Sequence, residues 1–307
     1  MSTSATPLVG GRYEMVRTLG QGSFGHTFLA RDREADRASP SRFSTRAEAT
    51  TPRRQCHRRV GVMAIIATST LPAVRRDLRA EADADDAINL QRFFKTGPGE
   101  YGEGDRFLGV RVPALRRRTR THRSLPVQDA LTLLASKWHE ERLLALLLLA
   151  GHYRGADAAG KQRIYDAYLA NTRYINNWDL VDASAPYIVG PHVQPNDHAP
   201  LDRLAASPDV WERRIAVLAT FHWIRQREFR PALRIADRLV SDRHDLIHKA
   251  VGWMLREVGN RDGKAERDFL RAHCRTMPRT MLRYAIEKFP EAERRRYLTG
   301  ELPAPRA

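Results

Sequence analysis

The sequence predicts an all-α protein in which helical hairpins stack into a solenoid with a concave basic face. Three observations lead to this prediction. From Leu71 onward, apolar residues recur every three or four positions, which is the spacing of one helix face. Runs of alternating β-branched residues, which would indicate strands, are scarce over the same stretch. Four similar segments begin at residues 141, 177, 212 and 247, which gives spacings of 36, 35 and 35 residues.

Such a constant period is typical of HEAT or TPR repeats, in which each unit is a pair of helices. One helix of each pair lines the concave face of the array. We expect the four repeated segments to be these lining helices. Periodicity predicts helices over residues 71–95, 112–120, 126–135, 138–152, 157–171, 175–188, 208–224, 228–240, 245–259, 264–274, 278–287 and 290–298.

Helix boundaries in this scheme rest on caps and breakers. Pro113 and Pro126 stand where prolines of a first turn are tolerated, and Asp209 precedes an apolar periodic run. Residues 96–105 contain four glycines and are too irregular for a helix. Glycines can cradle a phosphate, but their order does not match a P-loop, so we expect a shaped connection between helices.

The first 62 residues differ from the remainder. Residues 20–25 contain G-x-G-x-x-G and, with residues 11–14 upstream, resemble the glycine-rich loop of a protein kinase. The lysine, the catalytic base and the metal ligands that phosphoryl transfer requires do not follow. We therefore expect a poorly structured kinase-like fragment and basic linker, joined to a separate repeat domain over residues 63–307. A kinase function would require this fragment to bind ATP.

Charge points to a polyanionic partner. The chain has 307 residues, 52 Lys+Arg against 36 Asp+Glu, and a net charge of +16. Residues 1–62 contain 11 Arg, no Lys and 5 acidic residues, so +6 lies there and +10 on the repeat domain. A positive field of this size concentrates nucleic acid or an anionic membrane surface.

Other classes are disfavoured by simple counts. Cys56 and Cys274 are the only cysteines, which excludes a disulfide framework and a cysteine-rich zinc site. The longest apolar run, residues 143–150, is much shorter than the roughly 20 residues that cross a bilayer. The first residues do not resemble a secretory signal. We expect a cytoplasmic protein that associates with the nucleoid when it is bound to DNA.

Unusual polar residues occur in the repeated segments. Trp178 and Asp182 are four residues apart, as are Lys249 and Trp253, so each pair shares a helix face. Arg256 follows one turn after Trp253. A tryptophan at helical spacing is more often a core residue, and a nearby aspartate is more often solvated or capping. Aromatic or charged residues at equivalent positions of three consecutive repeats weaken that interpretation, so a structural role and a site both stay open at this point.

These residues stand in motifs that resemble those of the HEAT-like-repeat DNA glycosylases of alkylation repair. The resemblance spans about residues 70–290. Its motifs are Phe93 to Asp105, Phe107 to Pro113, Asn177-Trp178-Asp179-Leu180-Val181-Asp182, Trp211-Glu212-Arg213-Arg214, and Lys249 to Glu257.

The resemblance implies a role for each matching residue. Asp182 takes the place of the catalytic carboxylate, Trp178 and Trp253 those of two pocket aromatics, and Arg214 that of a DNA-contacting arginine. The family has a tyrosine where this chain has Phe93, which bears on substrate range. Further expected DNA-binding residues are Arg213, Lys249, Arg256, Arg111 and Lys95. The basic run 116–120 is either a solvated helix face or a second phosphate contact.

The expected activity is hydrolysis of the N-glycosidic bond of positively charged alkylated purines in duplex DNA. Indole faces attract cations, and a carboxylate stabilises an oxocarbenium-like sugar. Because the charged base leaves without protonation, no metal and no cofactor is required. We expect a monomer. Whether the base is flipped stays open, and the alternative function is a non-catalytic scaffold that binds damaged or branched DNA.

Overall fold

The structure is a computed structural model. It describes residues 8–9, 13–22 and 25–32 near the N-terminus, and then residues 69–194 and 196–301. The chain divides into two compact units, Met1–Met63 and Ala64–Ala307. No helix among the described residues is long and apolar enough to cross a membrane.

The first unit contains a three-stranded antiparallel sheet in the order β1 (Leu8–Val9), β2 (Tyr13–Gly22) and β3 (Gly25–Asp32). Gly22 pairs with Gly25, so the three glycines of the predicted motif, at positions 20, 22 and 25, lie on these two strands. We expected this segment to be poorly structured, whereas these residues form strands, because the kinase-like motif is a hairpin pattern. The linker that follows lies outside the described residues.

Among its described residues, the second unit is built from helices joined by loops and contains no strand, as the periodicity predicts. Its helices are, in chain order, α1 (Leu71–Arg79), α2 (Ala84–Phe93), α3 (Val112–Thr121), α4 (Val127–Leu134), α5 (His139–Gly155), α6 (Ala158–Ala170), α7 (Trp178–His192), α8 (Ala199–Ala205), α9 (Val210–Ala219), α10 (Phe221–Arg225), α11 (Arg230–Arg238), α12 (Asp245–Gly259), α13 (Gly263–His273), α14 (Arg279–Ala285) and α15 (Glu291–Thr299).

Aspartates begin several of these helices by accepting hydrogen bonds from the first-turn amides. Asp83 accepts from Asp86 N at 2.9 Å, and Asp209 accepts from Trp211 N at 2.8 Å. Asp262 accepts from the amides of Lys264 and Ala265. Each such cap satisfies donors that a helix leaves unpaired at its N-terminus.

The four repeated segments lie in α5, α7, α9 and α12, and these helices pack on one another in that order. The stack continues from α12 to α14. A second layer, formed by α4, α6, α8, α11 and α13, packs against the stacked helices. We call α5, α7, α9, α12 and α14 the inner helices. The apolar residues between the two layers form a continuous core from Val74 to Tyr297.

Two predicted helices are corrected, and a third helix, α8, is missing from the predicted set. The run 71–95 is two helices, because Asp83 caps α2 and its own N–H donates to the Leu108 carbonyl oxygen at 3.0 Å. The run 208–224 divides at Thr220, whose hydroxyl bonds the Val217 carbonyl oxygen at 2.6 Å. The short helix α8 has too few turns to show a period.

Candidate functional site

A groove with a volume of about 660 Å³ runs along the inner helices. Its lining residues come from α3, α5 and α7, and α12 contributes one residue. The polar and aromatic residues of its lining are Arg116, Thr119, Arg120, Arg154, Trp178, Asp179, Asp182, Tyr187 and Trp253. The structure therefore brings together the three residues that the sequence predicts to be catalytic, Asp182, Trp178 and Trp253.

Asp182 reaches the groove from the middle of α7 and is held by Arg214 of α9. The guanidinium donates from Nε to Oδ1 at 2.9 Å and from Nη2 to Oδ2 at 2.8 Å. Burial raises the pKa of Asp182, against the opposing charge and hydrogen bonds of Arg214, and the neighbouring charge of Asp179 raises it further. The carboxylate thus has a fixed orientation and an increased affinity for a proton.

Trp178 is the first residue of α7, and aromatic residues hold it in place. Its ring stacks on Phe94 with a centroid separation of 5.2 Å, and Phe93 meets it edge-on at 5.8 Å. A hydrogen bond from Trp178 to Tyr101 opposes the rise in the tyrosine pKa that burial causes. The indole plane is therefore set by residues from α2 and from the loop after it.

Trp253 approaches the groove from α12. Its indole N–H donates to Glu257 Oε1 at 3.3 Å, one helical turn later. Its ring lies 6.2 Å from that of Phe221. Both groove tryptophans have their N–H groups satisfied by protein. One face of the Trp178 ring is covered by Phe94.

Arg214 and Arg213, which the sequence predicts to contact DNA, both form hydrogen bonds within the protein. Arg214 is 5% exposed, and besides Asp182 it donates to the Leu246 carbonyl oxygen at 2.7 Å. Arg213 donates from Nε to Asp242 at 2.8 Å and from Nη1 to two backbone carbonyl oxygens. In this structure both guanidinium groups hold neighbouring elements together.

Two further predicted DNA-binding residues form ion pairs outside the groove lining. Arg111 makes a two-pronged contact with Asp86, from Nη2 to Oδ1 at 2.7 Å and from Nε to Oδ2. Lys249 pairs with Asp245 at 2.6 Å, which raises the pKa of the lysine. These ion pairs neutralise the positive charges of Arg111 and Lys249, which the sequence predicts to contact DNA.

The remaining two predicted residues are Arg256 and Lys95. Arg256 pairs with Glu287. Lys95 is exposed and has a positive φ of 53°, at the point where α2 gives way to the loop. Its carbonyl oxygen accepts from Gly102 N at 3.1 Å, so its backbone helps to close that loop.

Three other arginines lie on the groove itself. Arg116 and Arg120 project from α3 and Arg154 from α5, and all three are exposed. Within the described part of the chain none of them forms an ion pair. By contrast, Arg117 and Arg118 from the same basic run pair with Glu81. The run 116–120 therefore divides into a groove face and a face that binds α1 and its C-terminal turn.

A buried charge network below the groove was not predicted from the sequence. His139 is 2% exposed; its Nδ1 lies 3.1 Å from Asp105 Oδ2 and its Nε2 lies 2.8 Å from Asp179 Oδ2. Arg142 donates to Asp105 at 2.6 Å. Burial alone would lower the pKa of His139, but the two carboxylates raise it to about 9.

The glycine-rich loop, residues 96–105, supplies one residue that contacts Trp178 and another that contacts the buried His139. Gly102 lies so close to the Phe94 carbonyl oxygen that a Cβ would be 2.4 Å from it, which explains a glycine there. Tyr101 beside it contacts the edge of Trp211 at 6.1 Å and supports Trp178. Asp105 ends the loop and holds His139. The loop is thus a shaped connection that completes the site.

No group of three or more His, Cys, Asp or Glu side chains suited to a metal ion occurs among the described residues. The acidic residues at the groove are paired with His139 and Arg214 instead.

Comparisons with known proteins agree with this architecture. The sequence model for DNA alkylation repair enzymes matches residues 74–289. A solved structure described as a predicted DNA alkylation repair enzyme from Enterococcus faecalis superimposes with a TM-score of 0.53 at 13% sequence identity. The match covers 69% of this chain and 98% of that chain, and at this identity it establishes the shared fold. Among curated proteins no significant match is found.

Proposed function

Because the chain belongs to the family of DNA alkylation repair enzymes, we propose that it is a DNA glycosylase acting on purines that alkylation has made positively charged. One observation carries the proposal: Asp182, Trp178 and Trp253 line a single groove. A carboxylate and two indole faces are the groups that attract a cationic base and a cationic sugar.

The chemistry follows from the charge of the substrate. Alkylation at N3 or N7 gives the purine a formal positive charge, so the base departs with the electron pair of the C1′–N bond and becomes neutral. The sugar becomes oxocarbenium-like, and the Asp182 carboxylate stabilises that charge. Water then attacks C1′ and loses a proton, for which the raised pKa of Asp182 makes it a suitable acceptor. The product is an abasic site.

Arg214 has a positioning role in this scheme. Its two-pronged contact fixes both carboxylate oxygens of Asp182, and its charge limits how far burial raises the aspartate pKa. An Asp182 without this partner would hold a proton more readily and would lose the negative charge that the mechanism needs.

Duplex DNA binds, in this proposal, through arginines that have no acidic partner among the described residues. Arg116, Arg120 and Arg154 line the groove and are available to phosphates. Lys95 is exposed near the same site. A second set of cations, formed by Arg111, Lys249 and Arg256, would bind phosphate only by exchanging the carboxylates that they contact now.

The proposal is tested by base release from duplex DNA containing N7-methylguanine, measured in a single turnover with the full chain. We expect Asp182→Asn to lower the rate about 10²-fold or more, since it removes a charge aimed at the transition state. Asp166→Asn is the matched control. Asp166 lies on α6, in the second layer of helices, so this change should leave the rate unchanged. Release that is equal in Asp182→Asn and the wild type would remove Asp182 from the mechanism.

One observation favours a second candidate, a non-catalytic scaffold that binds damaged DNA. Both oxygens of Asp182 already accept hydrogen bonds from Arg214, as in a structural ion pair. The scaffold predicts tight binding of alkylated or branched DNA with no base release by wild-type protein. The glycosylase predicts release, so the same assay separates the two.

A further inference from the structure

Helix α7 presents two carboxylates to the groove, Asp179 and Asp182. The proposed mechanism uses only Asp182. Asp179 lies one turn before Asp182 and also lines the groove. The two charges interact, because Asp179 raises the pKa of Asp182. Like charges three residues apart on a helix repel each other, so the pair needs compensation.

Each carboxylate receives a buried cation from a neighbouring inner helix. Arg214 of α9 holds Asp182, and His139 of α5 holds Asp179 through Nε2 at 2.8 Å. The opposite edge of the imidazole faces Asp105, which Arg142 also contacts.

Aromatic rings enclose His139 and keep its contacts fixed. The imidazole stacks on Phe107 at 4.7 Å and lies 4.9 Å from Phe94, the residue that also stacks on Trp178. A buried cation between two carboxylates costs more to desolvate than an apolar residue of the same volume. The burial of the His139 charge is explained if it holds a carboxylate in position at the groove.

We propose that Asp179 is a second anionic group of the site and that His139 is the positioning residue that holds it there. Asp179 is partly exposed, at 15%, which is close to the 17% of Asp182. Two carboxylates in one turn face the cationic base and the developing sugar cation together. The compensating His139 and Arg214 are buried, whereas the two carboxylates are partly exposed to the groove, so the groove favours charged over neutral lesions. This inference rests on the proposed glycosylase function.

The test measures recognition of charge without requiring turnover. Two duplexes are compared, one containing a protonated pyrrolidine in place of the deoxyribose and the other a neutral tetrahydrofuran abasic analogue. The ratio of their dissociation constants reports how strongly the groove prefers a cation. We expect Asp179→Asn to reduce this preference about fivefold and Asp182→Asn to reduce it by a similar factor.

His139 is tested through its coupling to Asp179. His139→Gln should reduce the preference in the same direction, and the double variant with Asp179→Asn should resemble Asp179→Asn alone, because His139 acts through that carboxylate. Glu140→Gln is the matched control: the buried Glu140 side chain accepts from the amides of residues 108–110 and is not part of the groove lining. This variant should lose stability without changing the preference.

The outcomes separate this inference from the proposed function. A wild-type preference in Asp179→Asn, with a loss in Asp182→Asn, overturns the role of Asp179 and leaves the glycosylase in place. Additive effects of His139→Gln and Asp179→Asn overturn the positioning role. Absence of both base release and charge preference in the wild type contradicts the glycosylase itself.

Discussion

At the scale of the residue, the site is a set of charges whose partners come from other helices. The sequence predicts that Trp178 and Asp182 share a face, because their spacing fixes it. It does not predict that Arg214 faces Asp182, since the two are on different inner helices. For the same reason His139 was missed: as the first residue of α5 it resembles an ordinary polar helix start.

His139 gives the stability of the protein a pH dependence. Its pKa is about 9 in the fold against an ordinary 6.5, so its contribution is complete below pH 6.5 and is lost as pH rises through 9. The groups that face it are Asp105, Asp179 and Arg142. We expect the free energy of unfolding to fall by roughly 3 kcal/mol over this range, measured by urea unfolding.

His139→Gln should flatten this alkaline decrease, because glutamine does not titrate. His152→Gln is the control; this histidine at the other end of α5 contacts the Leu125 carbonyl oxygen and no carboxylate among the described residues. A decrease of the same size in His139→Gln and the wild type would show that other groups cause it.

At the scale of the element, the inner helices approach one another closely at small residues. A Cβ on Gly252 of α12 would lie 2.4 Å from the Met281 carbonyl oxygen of α14. A Cβ on Gly190 of α7 would lie 2.5 Å from the Ala219 carbonyl oxygen of α9. Periodicity predicted the helices themselves, and 245–259 has the observed bounds of α12. The closeness of their packing is a tertiary property that no spacing reveals.

Gly252→Ala should destabilise the protein by about 1–3 kcal/mol, because the backbone of α14 must shift to admit the methyl group. The matched control is Gly151→Ala in α5, where a Cβ would meet nothing within 4 Å. That change should stabilise by about 0.5–1 kcal/mol, since alanine is the better helix former. Both values come from urea unfolding, and equal effects at the two positions would contradict the packing argument.

At the scale of the whole molecule, net charge indicates the class of partner, but it does not tell which cations already have an acidic partner in the fold. Several of the residues that the sequence predicts to bind DNA form ion pairs within the protein, among them Arg111, Arg213, Lys249 and Arg256. The groove arginines, which pair with no acidic residue in the described part of the chain, belong instead to α3 and to the end of α5. A sum of charges could not distinguish these two groups, because the distinction depends on which acidic residue folding brings near each cation.

The salt dependence of DNA binding should report the groove arginines. Replacing Arg116, Arg120 and Arg154 by glutamine should reduce the slope of log affinity against log salt by about 1 for each phosphate that the protein no longer neutralises. Arg163 is an exposed arginine of α6, in the second layer of helices, so Arg163→Gln should leave the slope unchanged. A triple variant with the wild-type slope would exclude these arginines from the DNA interface.

The guanidinium of Arg214 joins three successive repeats: it starts from α9, contacts the carboxylate of α7 and donates to the Leu246 carbonyl oxygen of α12. Helical arrays deform elastically by small rotations between neighbouring units. Here such a rotation would stretch hydrogen bonds on both sides of one buried group. We therefore expect α7, α9 and α12 to move together as one stiff unit, so that any change in curvature occurs at the helices on either side of them.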